Sequence, residues 1–193
     1  YDKSEIFNFL KKNKYKIDCI FHLGACTNTQ EKNWDYLYKN NFIYSKKLIE
    51  FSARKNIKLI YASSASIYGK KTGNFNEIKQ LNSFKPLNYY AKSKLILEKF
   101  LFENIKKKIP IIGLRYFNVY GKNERHKLGM ASPIYSFFQQ IKKKGTCKIF
   151  GNFDGYKKGE HSRDFVYVKD CTSINLWAMK IKNFYPKILN VGS

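Results

Sequence analysis

Tyr90 and Lys94 stand four residues apart, which on a helix puts a phenol and an ammonium on one face. A phenol titrates near pH 10 and is a poor base at neutral pH. An ammonium one turn away favours the phenolate and is expected to lower that value. The same amine can donate to a sugar hydroxyl. In a chain with 15 Tyr and many Lys, such a pair also arises by chance. A second feature makes chance a poorer account. Ser63 and Ser64 directly follow the apolar run Lys58 to Ala62, about 26 residues before Tyr90. A hydroxyl at the carboxyl end of a buried strand sits where open α/β sheets bind ligands. It can donate to a sugar oxygen that becomes a carbonyl on oxidation. The plainer use of such a serine cluster is to cap a short turn.

These side chains need elements to carry them. Ser4 to Lys12 has the spacing of an amphipathic helix, with Ile6, Phe7, Phe9 and Leu10 apolar. Ile17 to Leu23 reads as a buried strand ending in the turn Gly24-Ala25. Trp34 to Lys55 is predicted as one helix, with Leu37, Phe42, Leu48, Ile49 and Phe51 inward. Lys58 to Ala62 is a second buried strand and Ile109 to Phe117 a third. Tyr90 to Glu103 is a helix packing Leu95, Leu97, Phe100 and Leu101. This alternation predicts an α/β fold of right-handed βαβ units around a parallel sheet. From Asn118 to Arg163 the pattern changes to loops, with one helix over about Pro133 to Lys144 and a Gly-, Asp- and Lys-rich stretch from Gly151 to Gly159. An insertion beyond the strand ends is the usual place for a substrate lobe. Phe165 to Val168 is a short strand, and Asp170 is expected to cap a helix through Lys180.

The chain has 193 residues, of which 44% are hydrophobic, enough for one core and part of a second. It starts at Tyr1 rather than Met, and Ile188 to Ser193 read as a strand running into a Gly turn, so it is expected to be the middle of a longer protein. No apolar run approaches the roughly 20 residues that span a membrane. The net charge is +23. Only four of the 37 basic residues are Arg (Arg54, Arg115, Arg125, Arg163), leaving 33 Lys. Nucleic-acid readers lean on Arg for its planar fork, so the charge points to compositional drift and no specific nucleic-acid partner. Cys19, Cys26, Cys147 and Cys171 form no CxxC pair and lack zinc-finger spacing. Reduced thiols, a cytoplasmic setting and no metal are expected.

The run Tyr61 to Gly69 (YASSASIYG) followed by Pro86 to Lys94 (PLNYYAKSK) resembles the extended short-chain dehydrogenases/reductases that act on nucleotide sugars. Arg115 to Gly121 (RYFNVYG) and Arg163 to Asp170 (RDFVYVKD) are two further hallmarks. Phe21 to Thr27 (FHLGACT) and Glu124 to Ser132 (ERHKLGMAS) are similar to the ADP-glyceromanno-heptose 6-epimerases within that group. The resemblance implies a Rossmann-type parallel sheet, N-terminal part missing, with a small inserted substrate-binding lobe. It divides the chain into an incomplete NAD(P)-binding part over 1–117, a lobe over 118–164 and a return to the first part over 165–193.

It also implies roles. Tyr90 matches the catalytic tyrosine, Lys127 the second catalytic base and Ser64 the serine beside the reacting carbon. Leu23, Gly24, Ala25, Cys26 and Thr27 match the loop over the cofactor, with Asn40, Lys94 and Val119 as further cofactor contacts. Asn118, Phe150 and Arg163 match substrate contacts, Phe150 and Arg163 toward the ADP end; a guanidinium offers a diphosphate paired donors. Gly129 stands where the family usually has a substrate-touching Ser, and Ser136 where a His is expected. The implied cofactor is NADP, with NAD possible; the implied substrate is ADP-heptose, epimerised at C6″ on the way to the lipopolysaccharide inner core. A homo-oligomer and no membrane partner are implied as well. The glycine-rich turn for the pyrophosphate is not in the sequence, and the resemblance puts it upstream of Tyr1.

Other uses of these residues stay open. Lys127 is one Lys among 33 and by itself reads as solvated, and its use as a base would require burial or neighbouring cations. His126 and His161 carry no assignable role, and His22 reads as a packed, hydrogen-bonded side chain. Arg163 has Glu160 and Asp164 nearby in sequence. A UDP-hexose 4-epimerase or a sugar dehydratase is the nearest alternative, although a dehydratase should carry an acidic pair where Ala65-Ser66 stand. A non-catalytic, basic nucleic-acid-binding relative is the alternative from another class.

Overall fold

The computed structural model describes residues 3–70, 75, 81–104, 109–152, 155–182 and 187–192. It divides into two compact units, Tyr1–Arg115 with Asn175–Asn190, and Tyr116–Ile174 with Val191–Ser193.

The first unit holds α1 (Lys3–Asn13), β1 (Cys19–His22), α2 (Trp34–Leu37), α3 (Tyr44–Lys55), β2 (Lys58–Ser64), α4 (Tyr89–Asn104) and β3 (Ile111–Tyr116, its last residue in the second unit). The four-stranded parallel sheet has the order β1, β2, β3 and then a last strand at Lys187–Val191. Cys19 lies opposite Lys58 and His22 opposite Tyr61 in the parallel register of β1 and β2. A parallel pair cannot be closed by a tight turn, so the chain crosses over the sheet through a loop after His22 and the helices between Trp34 and Lys55.

Apolar positions at helical and strand spacing meet in the core. Ile49 of α3, Leu59 and Tyr61 of β2, Leu97 and Leu101 of α4, Ile109 before β3 and Ile111 at its start form one buried cluster. On its other side α3 turns Leu48 and Phe51 toward Leu10 of α1 and Ile57. Burying each such side chain contributes about 1.5–3 kcal/mol. Of the apolar residues of α1, Leu10 is buried while Phe9 is 60% exposed, because the helix buries one narrow stripe centred on Leu10. α3 ends at Asn56 with φ 51°, a left-handed residue that Asn tolerates, and Arg54 and Lys55 complement the carbonyl end of the helix.

The predicted helix over 34–55 is not continuous. A π-helical turn, Tyr38–Ile43, separates α2 from α3. One extra residue per turn rotates the side chains that follow, and such turns occur often at functional sites.

The second unit contains β4 (Asn118–Tyr120), α5 (Pro133–Lys144), β5 (Phe165–Tyr167) and the first half of α6 (Val168–Lys180). The last sheet strand, β6 (Lys187–Val191), ends in this unit. β4, only three residues long, shows no alternation in sequence; it pairs in parallel with β5, Asn118 opposite Phe165. α5 has a full set of end signals. Ser132 Oγ accepts from Tyr135 N at 3.1 Å, Pro133 opens the first turn, and Gly145 closes it at φ 71°. Asp170 sits inside the first turn of α6 rather than at its cap, since the helix starts two residues earlier, at Val168. Among the described residues no helix is long and apolar enough to cross a membrane.

A candidate active site at the carboxyl end of the second strand

The end of β2 presents Ala62, Ser63 and Ser64 to one face of α4, where Tyr90, Lys94 and Glu98 follow one another at four-residue spacing. Each helix residue takes one strand residue. Lys94 Nζ donates to Ala62 O at 2.8 Å, Ser63 Oγ donates to Glu98 Oε1 at 2.5 Å, and Tyr90 is hydrogen-bonded to Ser64. Ser64 also caps the 3-10 turn Ala65–Tyr68, accepting from Ser66 N at 3.2 Å and from Ser66 Oγ at 2.9 Å. The capping use and the tyrosine contact therefore coexist on one hydroxyl. Gly69 closes this turn at φ 65°, with Lys85 O only 2.0 Å from where a Cβ would sit, so no other residue fits.

The electrostatics differ from the sequence expectation in one respect. Burial pushes the Tyr90 phenol above its ordinary value; the hydrogen bond to Ser64 pulls down and Cys26 pushes up. The expected lowering by Lys94 is not found. Its nitrogen lies 5.8 Å from the Tyr90 ring centroid and is spent on the Ala62 carbonyl. Lys94 is itself displaced. Burial lowers its ammonium to about 8, against the pull of Glu98 and Cys26 in the other direction.

Asn41 is a site residue that the sequence reading missed. It is fully buried within the π-helical turn. Its Oδ1 accepts from Cys26 N at 2.9 Å, and its Nδ2 donates to Cys26 O and to Ser93 Oγ, both at 3.1 Å. Ser93 Oγ in turn donates to Tyr90 O at 2.7 Å. One amide thus ties the loop after β1 to the turn of α4 that carries Tyr90. The only signal in the sequence is a pair of asparagines inside a helical stretch. Asn41→Leu removes this clamp while keeping the volume. It should cost about 1–3 kcal/mol by stranding the buried donors and acceptors. Urea denaturation reads the cost, and faster amide exchange confined to residues 23–27 reads the release of the loop.

The neighbouring Asn40 donates from Nδ2 to Tyr36 O at 2.7 Å. With Gly24, Ala25 and Cys26 it lines a cavity of about 560 Å³ that His22 and Tyr44 also face. Leu23 is 47% exposed and Thr27 is exposed, beside that cavity in sequence. His22 is buried, in a 2.7 Å hydrogen bond with Ser45 Oγ and edge-on to Tyr44, so it is a packed side chain.

Within the second unit, Glu124 organises the segment around Lys127. Its carboxylate is 2% exposed and accepts from Gly121 N at 3.0 Å, Ser132 N at 2.7 Å and Ser132 Oγ at 2.8 Å. Burial alone would raise this carboxyl, but the Ser132 and Gly121 donors and the charge of Lys127 outweigh it, and the net value lies below the ordinary one. Lys127 Nζ is 3.6 Å from Glu124 Oε2, with its side chain 39% exposed. Within its own unit, then, Lys127 has a carboxylate beside it rather than the burial or cations that a basic amine was expected to need. Asn118 Nδ2 donates to Asp164 O at 2.7 Å, and Val119 is half-buried on β4. Phe150, 52% exposed, packs against Phe137 at 5.8 Å and His161 at 5.6 Å between ring centroids. Exposed Arg163 donates to Ser162 O at 2.7 Å. Gly129 has open space around its Cβ position, and Ser136 lies exposed on α5. Ser64, Tyr90 and Lys94 are thus brought into one cluster; Lys127, Asn118, Gly129, Ser136, Phe150 and Arg163 all belong to the second unit.

Comparison with known proteins adds a family to this geometry. The model described as the NAD dependent epimerase/dehydratase family matches residues 1–192. An ADP-L-glycero-D-manno-heptose-6-epimerase of Alkalilimnicola ehrlichii is 39% identical over 182 residues, 93% of this chain and 56% of that protein. The crystal structure of the Helicobacter pylori enzyme of the same name superposes with a TM-score of 0.79 at 32% identity, over 95% of this chain and 56% of that one. A Bacillus cereus UDP-glucuronic acid 4-epimerase in complex with NAD superposes at 0.71 with 29% identity, over 95% of this chain and 56% of that one. The chain therefore spans a little over half the length of these relatives.

Proposed function

The chain belongs to the NAD dependent epimerase/dehydratase family, and from that premise we propose that it is part of an enzyme converting ADP-D-glycero-β-D-manno-heptose to ADP-L-glycero-β-D-manno-heptose. The product would supply heptose to the lipopolysaccharide inner core. The observation that carries this reading is the Ser64, Tyr90 and Lys94 cluster at a strand end, in a chain 39% identical to a protein named for that reaction. The first unit would serve the cofactor and the second the sugar nucleotide.

Of the cavity's lining, Gly24, Ala25, Cys26 and Asn40 are the part that would meet the cofactor, with open space at the Gly24 Cβ position; Ile6, Leu10, Ile20 and Leu48 make the rest apolar. The cofactor, NADP in this proposal, supplies a reversible hydride acceptor. Lys94 would hold its ribose, and Leu23, Thr27 and Val119 would be further contacts. Ser64 donates to the sugar oxygen that becomes a carbonyl. Tyr90 moves the proton at that oxygen, and Lys127 serves as a second base for the opposite presentation of the intermediate. Asn118, Phe150 and Arg163 bind substrate, the last through its fork of donors to the diphosphate. Gly129 and Ser136 stand at substrate positions with short or absent side chains and loosen those contacts.

The test uses the full-length protein with ADP-D-glycero-heptose, followed by NMR in D2O. Inversion at C6″ without solvent deuterium at that carbon is the expected result, because the hydride leaves and returns. Turnover of UDP-galactose in its place, or deuterium at C6″, would overturn the proposal. Lys127→Ala should lower kcat by about 10². A rate within threefold of the parent would remove Lys127 from the mechanism and leave Tyr90 standing.

A further inference from the structure

Glu98 is the third residue of the face that carries Tyr90 and Lys94, and it is fully buried. Its carboxylate is held from three sides. Arg115 Nη2 donates to Oε2 at 2.6 Å, Arg115 Nε donates at 3.0 and 3.1 Å to the two oxygens, and Ser63 Oγ donates to Oε1. Arg115 is also fully buried and donates through Nη1 to Tyr68 OH at 2.7 Å. Tyr68 OH in turn donates to Asn190 Oδ1 at 2.6 Å.

This cluster counts two buried cations, Lys94 and Arg115, against one buried anion. A buried carboxylate is costly and persists only where it is paired. Arg115 alone would satisfy that need, yet the carboxylate lies one helical turn from Lys94 and is anchored to the strand residue next to the one that Lys94 touches.

We propose that Glu98 is a positioning residue for Lys94: fixed by Arg115 and Ser63, its negative charge keeps the Lys94 amine protonated in the core and ready to donate. The inference rests on the assignment of Lys94 to the cofactor ribose for its functional meaning, but the charge state of Lys94 is measurable without substrate or cofactor. The titratable groups that face Lys94 are Tyr90 and Glu98 from α4 and Cys26 from the loop after β1. Arg115 of β3 and Tyr68 stand behind Glu98. Among these, Glu98 is the carboxylate. Burial acts on Lys94 in one direction, and Glu98, with Cys26 behind it, in the other, so removing the carboxylate leaves Cys26 alone against burial and favours the neutral amine.

The experiment is an NMR titration of the Lys94 side chain, read at its Cε and Nζ in the unliganded full-length protein, which needs no reagent to reach the buried amine. In the parent the midpoint is expected near 8. In Glu98→Gln it should fall by about one pH unit, a tenfold loss of proton affinity. A smaller fall in the same direction, because a nearby cation is removed together with the carboxylate, is expected in the Glu98→Gln/Arg115→Met double variant, which strands neither partner of that pair and carries the test if the single variant does not fold. A merely structural Glu98 predicts the opposite sign: a loosened core exposes Lys94, and its midpoint climbs toward the value of about 10.4 for a free lysine. An upward shift, or an unchanged midpoint in both variants, overturns the proposal. Epimerase activity is not read here, so failure of the proposed reaction and failure of this inference are separate results.

Discussion

Tyr90→Phe in the full-length protein lowers kcat by about 10²–10⁴-fold while leaving the fold intact. The substitution removes a single oxygen from a side chain that is 9% exposed, so no cavity of consequence opens in the core. What is lost is the hydrogen bond with Ser64 and the group that exchanges a proton with the sugar oxygen. KM should change little, because phenol and phenyl occupy the same place. Thermal melting of the variant controls for folding, and single-turnover kinetics separate the chemical step from product release. Combining Tyr90→Phe with Lys127→Ala should leave no measurable turnover. A variant rate within threefold of the parent would mean that the phenol is not part of the chemistry. Because burial holds the phenol above its ordinary value, the side chain starts as a neutral donor in the chain by itself, and making the phenolate is the step with which Lys94 and the bound ligands must assist.

Arg115→Met should have the largest effect on stability. It leaves Glu98 as a fully buried carboxylate without its guanidinium, and breaking such a pair costs about 3–5 kcal/mol. A domain of this size has about 5–15 kcal/mol in total, so the variant approaches the unfolding threshold at 37 °C. The double variant Glu98→Gln/Arg115→Met removes both charges and should recover most of the loss in urea denaturation. The pH dependence carries a definite sign. Burial raises the Glu98 carboxyl above its ordinary value, with Arg115, Ser63 and Lys94 working against that rise. Removing Arg115 raises it further. A carboxyl whose folded value is raised contributes stability that is present at low pH and lost as pH rises through the folded value. The deficit of Arg115→Met should therefore shrink on acidification and be largest at neutral pH. A deficit that does not change with pH would show that lost packing, not a stranded charge, sets the cost.

The same two clusters show how far the sequence reaches. The order of strands and helices was legible because it depends on local periodicity: the helix carrying Tyr90, the strand from Lys58, which runs two residues past the predicted Ala62 to Ser64, and the helix from Pro133 to Lys144 all appear where the pattern predicts them. The four-residue spacing put Tyr90 and Lys94 on one face, and the run of apolar residues put Ser64 at a strand end. β4 and the π-helical turn were not legible. Three residues are too few to show alternation, and an extra residue in a helical turn leaves the apolar pattern nearly unchanged.

What only the tertiary structure decided is the company each polar group keeps. Asn41 meets Cys26 and Ser93, Glu98 meets Arg115 and Ser63, and Glu124 meets Ser132 across gaps that no periodicity links. The direction in which Tyr90 is displaced belongs here too. Spacing alone favours lowering by Lys94, but desolvation scales with how completely other segments cover the phenol, and that cover is supplied by the folded chain. The sequence by itself settles which groups can share a face; burial, which depends on residues far away along the chain, settles what their protons do.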